Sequence, residues 1–138
     1  MLAIGYKGMT NCDILIINSP LFRESQSGNC EDALPPLGLG YIATHLQKNG
    51  YDVELIDAIS NNISVKDLVE TAEAIKPKFI AINIFSTNCQ IVEEIVVSIK
   101  IQTHFIIGGI AARALYEQVH AWDTDNYIRK LPIKVDIL

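Results

Sequence analysis

The chain has 138 residues, of which 49% are hydrophobic and 20% charged, and its formal net charge is −5 at pH 7. This length and composition predict one globular domain with a buried core and argue against a disordered segment. The negative charge argues against a nucleic-acid partner, because phosphate binding needs a basic surface. We see neither a signal peptide nor an apolar stretch long enough to cross a membrane, so we expect a cytoplasmic protein.

The first half of the chain predicts two strands and two helices. An apolar, β-branched run predicts a buried strand over residues 13–18. A helix is expected from Pro36 to about Lys48, because proline fits the first helical turn. Residues 52–57 alternate between polar and apolar, which is typical of a strand near a sheet edge. Ser64 then caps a second helix, which Pro77 ends.

The second half continues the alternation. Residues 79–85 are apolar almost throughout and predict a central strand. The run Ser86-Thr87-Asn88 is expected to cap a third helix. A fourth strand over residues 104–107 ends in Gly108-Gly109, and a last helix is predicted from about Ala111 to Trp122.

Strands separated by helices of roughly 10 to 15 residues predict right-handed βαβ units. We therefore predict an α/β three-layer sandwich of the flavodoxin-like (Rossmann-like) type, with four or five parallel strands in the order 2-1-3-4(-5). A Rossmann half in the order 3-2-1-4 is the alternative. A fifth strand would come from residues 127–130 or 134–138. In both architectures the ligand lies at the carboxyl ends of the strands.

Three features lie at those ends, and the first two each have two interpretations. Gly108-Gly109 is either a plain turn or a place where a ligand approaches the backbone. Ser86 and Thr87 either cap a helix or hold a phosphate or amide group. Asp57 ends the second strand, where an acidic residue contacts a ribose in dinucleotide-binding folds. No Gly-x-Gly-x-x-Gly follows the first strand, so an ordinary NAD site is disfavoured.

The sequence predicts no catalytic residue and no metal ligand. Its three histidines do not pair with a nucleophile, and its three cysteines are widely and irregularly spaced at Cys12, Cys30 and Cys89. An odd number of cysteines at such spacing indicates neither a disulfide framework nor a zinc site.

Several segments, taken in order, resemble the N-terminal cobalamin (vitamin B12)-binding domain of radical S-adenosylmethionine enzymes. They are Asn18-Ser19-Pro20, residues 35–43 (PPLGLGYIA), 50–58 (GYDVELIDA) and 76–82 (KPKFIAI), Ser86-Thr87 and Ile107-Gly108-Gly109. The resemblance covers about residues 13–115 of a single domain spanning residues 1–138, whose tail from 123 to 138 is atypical. It implies a flavodoxin-like fold, cobalamin as cofactor, and a radical S-adenosylmethionine catalytic domain as a partner.

The resemblance also implies where the cofactor lies. The corrin would approach Pro20 and residues 36–38, and the nucleotide tail would run beside the third and fourth strands. With Asp57 from the strand-end argument, the predicted cofactor-binding residues are Pro20, Pro36, Leu37, Gly38, Asp57, Ser86, Thr87, Gly108 and Gly109. The substitution Gly109→Val is expected to weaken cofactor binding while leaving the fold largely intact.

Three departures from the family pattern matter. The Asp-x-His-x-x-Gly motif of methionine synthase and the mutases is absent, and the loop from Pro20 to Pro35 has no histidine, so cobalt would receive no imidazole from it. The Cys-x-x-x-Cys-x-x-Cys motif is missing, so no iron–sulfur cluster is expected in this chain. The acidic segment expected after the fifth strand is also missing. A domain of a longer enzyme, a stand-alone relative and a decayed gene product all stay open.

The alternative function is a non-catalytic αβ protein-interaction module that keeps the fold without the cofactor. Such a module has little reason to retain paired glycines, which is the feature that favours cobalamin over it. Self-association into a homo-oligomer is left open by the sequence.

Overall fold

A computed structural model describes residues 12–24 and 34–114. Strands and helices alternate in the predicted order: β1 (Ile14–Asn18), α1 (Leu37–Lys48), β2 (Val53–Asp57), α2 (Val65–Ile75), β3 (Phe79–Asn83), α3 (Cys89–Ser98) and β4 (His104–Gly108). The helix predicted from Ala111 and the predicted fifth strand lie outside the described residues, except for turns at 111–114. Within those residues, no helix has the length and apolar character needed to cross a membrane.

The four strands form one parallel sheet in the order β2-β1-β3-β4, which confirms the flavodoxin-like prediction and excludes the order 3-2-1-4. Ile14 of β1 pairs with Val53 on one side and Phe79 on the other, so the strands start level with each other. β2 lies at the edge, as its polar alternation predicted. β1 is central, and all five of its residues are buried.

The sheet has a heavily packed side and a lightly packed side. The larger core lies beneath α2 and α3, whose buried residues include Leu68, Ala72, Ile75, Val92, Ile95 and Val96. On the other side α1 buries only Ala43, and it packs with Leu39 and Leu46 against Ile14, Ile16 and Val53. Each fully buried Leu or Ile contributes about 1.5–3 kcal/mol, so among residues 12–24 and 34–114 the side of α2 and α3 supplies most of the hydrophobic stabilisation.

The ends of α2 follow their sequence signals. Ser64 Oγ accepts a hydrogen bond from the Asp67 amide at 3.1 Å, which confirms the predicted N-cap. The Asp67 carboxylate accepts from the Ser64 hydroxyl at 2.8 Å, where a capping box would have it accept from the Ser64 amide. Lys76 ends the helix in the left-handed region with φ 54°, one residue before Pro77. These two ends fix where β3 begins.

Candidate functional site

All four strands release their loops at the same edge, because the sheet is parallel. The loop after β1 is anchored to both helices of the heavily packed side. Its Arg23 carbonyl accepts a hydrogen bond from the Val65 amide at 2.9 Å, and the Arg23 guanidinium lies 2.6 Å from the Glu94 carboxylate. The described first part of this loop, residues 19–24, is therefore tied to both helices at the carboxyl edge, where a ligand is expected.

Three neighbouring strands end in side chains that hydrogen-bond to one another. Asn83 Nδ2 donates to Asn18 Oδ1 at 2.6 Å, and Asn18 Nδ2 donates to Asp57 Oδ1 at 2.8 Å. The Ser19 amide completes the chain by donating to Asn83 Oδ1 at 2.7 Å. We call Asp57, Asn18 and Asn83 the Asx row.

The Asx row lies on the side of the sheet that α1 covers. Side chains alternate along a strand, and the residues two positions earlier, Ile16, Leu55 and Ala81, belong to the core cluster of α1. In β4 the partner of Asn83 is Gly108. The next position in line with the row is therefore a glycine, which adds no side chain to it.

The carboxylate of Asp57 accepts four hydrogen bonds from within the protein. Besides Asn18, it accepts hydrogen bonds from the amides of Ile59 and Ser60, both at 3.2 Å, and from the Ser60 hydroxyl at 2.6 Å. These bonds shape the turn after β2. Three of these bonds go to Oδ1 and one to Oδ2, so Oδ2 keeps a lone pair that could accept from a ligand hydroxyl, and Asp57 stays a predicted cofactor-binding residue.

The two glycines after β4 have different surroundings. Gly109 has φ +120°, and a Cβ there would lie 2.9 Å from the carbonyl oxygen of Ile84. The fold itself therefore requires this glycine, and the expectation that Gly109→Val leaves the fold largely intact is wrong. Gly108 differs, because no atom of the described part of the chain lies within 4 Å of the position that its Cβ would take.

The start of α1 is open. Among the described residues, no atom lies within 4 Å of a Cβ position at Gly38 or Gly40, so close packing on the sheet does not explain these glycines. Pro36 and Leu37 border an apolar cleft of about 310 Å³ between α1 and the edge strand β2; its other lining residues are Pro35, Gly40, Tyr41, Thr44 and Leu55. Pro20 is buried and lines a separate cavity of about 60 Å³. Three of the four predicted corrin-facing residues therefore border one or other of these two cavities, and Gly38 borders neither.

The loop after β3 departs from its predicted form. β3 ends at Asn83, two residues before the predicted Phe85, because the Phe85 amide donates to Asn88 Oδ1 at 2.7 Å and the chain turns. Asn88 is the N-cap residue of α3, which confirms where the helix was predicted to start, but its side chain makes no capping hydrogen bond, so that part of the prediction is wrong. Ser86 and Thr87 are exposed, and neither hydroxyl bonds to a described residue.

This loop offers several free donors. Asn88 is wholly buried, and within the described part of the chain its Nδ2 has no partner. The first N–H groups of α3 also lack a side-chain cap. Together with two free hydroxyls, this end of the helix fits a phosphate or amide group.

Apolar side chains are exposed in the loops after β1 and β4. Leu21 is 40% exposed, Phe22 57% and Ile110 89%. Both loops leave the carboxyl edge of the sheet, so apolar surface is exposed at the edge where a ligand is expected.

The titratable groups of the described residues do not form a metal centre. Among residues 12–24 and 34–114, no three His, Cys, Asp or Glu side chains are grouped so as to hold a metal. Burial raises the pKa of the Cys12 thiol to about 11, so this thiol stays protonated at neutral pH. His45 lies in the last turn of α1, and His104 starts β4, where it stacks on Phe79 with ring centroids 5.4 Å apart. Both are at the amino side of the sheet, away from the candidate site.

A parallel α/β sheet with an open, polar carboxyl edge defines the class of ligand-binding domains of the flavodoxin-like type. The sequence model of the B12 binding domain matches residues 28–129, which is well over half of the chain. The chain belongs to the B12-binding domain family. No curated protein and no solved structure matches it.

Proposed function

We propose that this domain binds cobalamin at the carboxyl edge of its sheet. The observation that carries the proposal is the family match over residues 28–129, which supports cobalamin as the ligand. The corrin lies against the loop after β1 and the start of α1. The nucleotide tail runs beside the ends of β3 and β4. No histidine of this chain binds the cobalt.

The exposed groups at this edge fit the corrin. Its macrocycle is a large, mainly apolar plate rimmed with amide side chains. Leu21, Phe22 and Ile110 offer apolar surface to such a plate, and burying that surface is favourable. The open backbone at Gly38 and Gly40 leaves room for the rim.

The ends of β3 and β4 fit the tail. The tail carries a phosphate, a ribose and a base, and it needs donors together with room beside the backbone. Ser86 and Thr87 supply hydroxyls, Asn88 supplies a buried donor that has no partner among the described residues, and Gly108 supplies room. These features support Ser86, Thr87 and Gly108 as tail-binding residues. Gly109 would support the site indirectly, because it allows the backbone turn after β4 that lies against Ile84.

The experiment is to mix the protein with hydroxocobalamin, remove free ligand by desalting, and record the visible spectrum. We expect coloured protein with about one cobalamin per chain, and a higher melting temperature with ligand. At a ligand concentration 100-fold above Kd, the gain in stability is about 2.7 kcal/mol. Cobinamide, a corrin without the nucleotide tail, is the matched ligand and should bind more weakly. Colourless protein and an unchanged melting temperature would overturn the proposal.

A second candidate function is favoured by the apolar cleft between α1 and β2. Leu37 and Tyr41 line it and are exposed, and Leu34 lies nearby in sequence and is exposed as well. An exposed apolar cleft is typical of a protein-interaction surface. The non-catalytic interaction module is the function to test next if cobalamin does not bind.

We also propose that the domain works in the cytoplasm with a radical S-adenosylmethionine catalytic domain. The segments from Asn18 to Gly109 that resemble those enzymes support this partner. The cysteine spacing of this chain does not match the cluster-binding motif, so the partner domain would supply the iron–sulfur cluster. Mass spectrometry of the native protein and of proteins that co-purify with it tests this pairing. A Cys-x-x-x-Cys-x-x-Cys segment in either supports it, and its absence from both contradicts it.

The cobalt environment gives a separate prediction. The substitutions His45→Ala and His120→Ala should leave the visible spectrum of the cobalamin complex unchanged, because the proposal gives cobalt no histidine from this chain. His45 lies in the last turn of α1, far from the carboxyl edge; His120 lies outside the described residues. Loss of an imidazole-ligated spectrum in either variant would show that a histidine does bind cobalt.

A further inference from the structure

The orientation of every amide in the Asx row is determined from both ends. The Ser19 amide can only donate, so Asn83 must present its oxygen to it, and its Nδ2 then faces Asn18 Oδ1. At the other end, the carboxylate of Asp57 can only accept, so Asn18 must present Nδ2 to it. The two ends require the same arrangement, so the chain of hydrogen bonds has one direction and one register.

The row fixes the first residues of two loops. Ser19 and Asn18 are 0% and 5% exposed, so water cannot easily replace a lost partner. The Ser19 amide binds Asn83, while the amides of Ile59 and Ser60 bind Asp57. The Ala58 amide, which begins the loop after β2, donates to the Asn18 carbonyl at 3.1 Å. Both loops therefore start from positions that the row sets.

We propose that Asn18 and Asn83 are positioning residues, which hold the start of the loop after β1 where cobalamin is received. This inference rests on the proposed function, in which the corrin meets that loop. Ser19 directly precedes Pro20, and Asn83 lies beside the open Gly108, so the row links the proposed corrin side of the site to the proposed tail side. Neither asparagine needs to touch the ligand for this role.

The substitution Asn83→Asp tests the direction of the chain. The ionised carboxylate still accepts from Ser19 but cannot donate to Asn18, so the link between the two strands is broken. We expect cobalamin to bind about tenfold more weakly at pH 7.5. Measured against wild type at the same pH, because the row also ends in the carboxylate of Asp57, affinity should return as the pH falls toward about 4, near the ordinary range of a carboxyl group. The protonated group then donates to Asn18 as the amide does.

Two further variants make the test specific. Asn83→Leu has a similar volume but no donor or acceptor, so its affinity should be lower at every pH. Asn49→Asp introduces the same chemical change at the end of α1, on the amino side of the sheet, and should leave affinity unchanged. If Asn83→Asp binds as tightly as wild type at pH 7.5, or fails to recover at low pH, the proposal is overturned.

A measurement without ligand separates this inference from the proposed function. Hydrogen exchange of the Ser19 amide should be faster in Asn83→Leu than in wild type, while the Asp67 amide, which Ser64 caps, should not change. If wild type does not bind cobalamin, the proposed function fails. Faster exchange at Ser19 would still support the row as the device that holds this loop, and unchanged exchange would overturn it.

Discussion

Gly109→Ala is expected to lower the free energy of unfolding by about 2–4 kcal/mol and the melting temperature by roughly 10 °C. Two effects add. A φ of +120° is strained for any residue with a Cβ, and that Cβ would lie 2.9 Å from the Ile84 carbonyl oxygen. Backbone atoms cannot move aside as a flexible side chain can, so the turn itself must shift. Thermal and denaturant unfolding, both without ligand, measure the change.

Gly108→Ala is the matched control, because the two glycines are neighbours and the chemical change is the same. Nothing lies within 4 Å of its Cβ position, and its φ is not in the left-handed region. Its stability should stay within about 0.5 kcal/mol of wild type. Equal losses in the two variants would show that the contact with Ile84 does not distinguish them.

Gly108→Val is expected to weaken cobalamin binding about 100-fold, equivalent to about 2.7 kcal/mol, with little change in stability. The β-branched side chain suits a strand, yet it would fill the space beside Asn83 that we assign to the nucleotide tail. Titration followed by visible absorbance gives the affinity, and a melting curve without ligand checks the fold.

Cobinamide provides the control for this variant, because it lacks the nucleotide tail. Its affinity should be the same for wild type and Gly108→Val. If both ligands lose affinity equally, the valine disturbs the corrin side or the whole edge. If neither does, the tail lies away from β4 and the assignment of Gly108 is wrong.

Local sequence signals predicted the fold well where each acts within one element. The alternation in residues 52–57 placed β2 at the edge, and the apolar run of β1 placed that strand at the centre. Ser64 and Asp67 marked the start of α2. Whether one face of a strand is buried, and where a helix is capped, depend on residues only a few positions apart in the chain. The sequence pattern therefore indicates both.

The candidate site was harder to predict, because its contacts join residues far apart in the chain. Asn18 and Asn83 are 65 residues apart and meet only when β1 and β3 pair in register. Asp57 was considered alone, as a partner for a ribose. A usable signal was present: each of the three strands ends in Asn or Asp, and once the strands start level these three residues must lie side by side.

Contacts between residues far apart in the chain also explain why the effect of Gly109→Val on the fold was predicted wrongly. A pair of glycines after a strand indicates an unusual backbone or a close approach, but it does not say which atom approaches. Here the atom is the carbonyl oxygen of Ile84, which belongs to the protein itself. Of the two glycines after β4, only Gly108 has open surroundings, so only Gly108 still supports a ligand at this place.

The one-way direction of the Asx row has a consequence for how this sequence can change over time. Because each amide is oriented by the group before it, replacing one member by a group that only accepts leaves two oxygens facing each other. A tolerated replacement at Asn18 or Asn83 therefore requires a compensating replacement at its neighbour, and members of the lineage should show correlated substitutions at these positions. Related sequences should therefore keep the residues of the row together or replace them together.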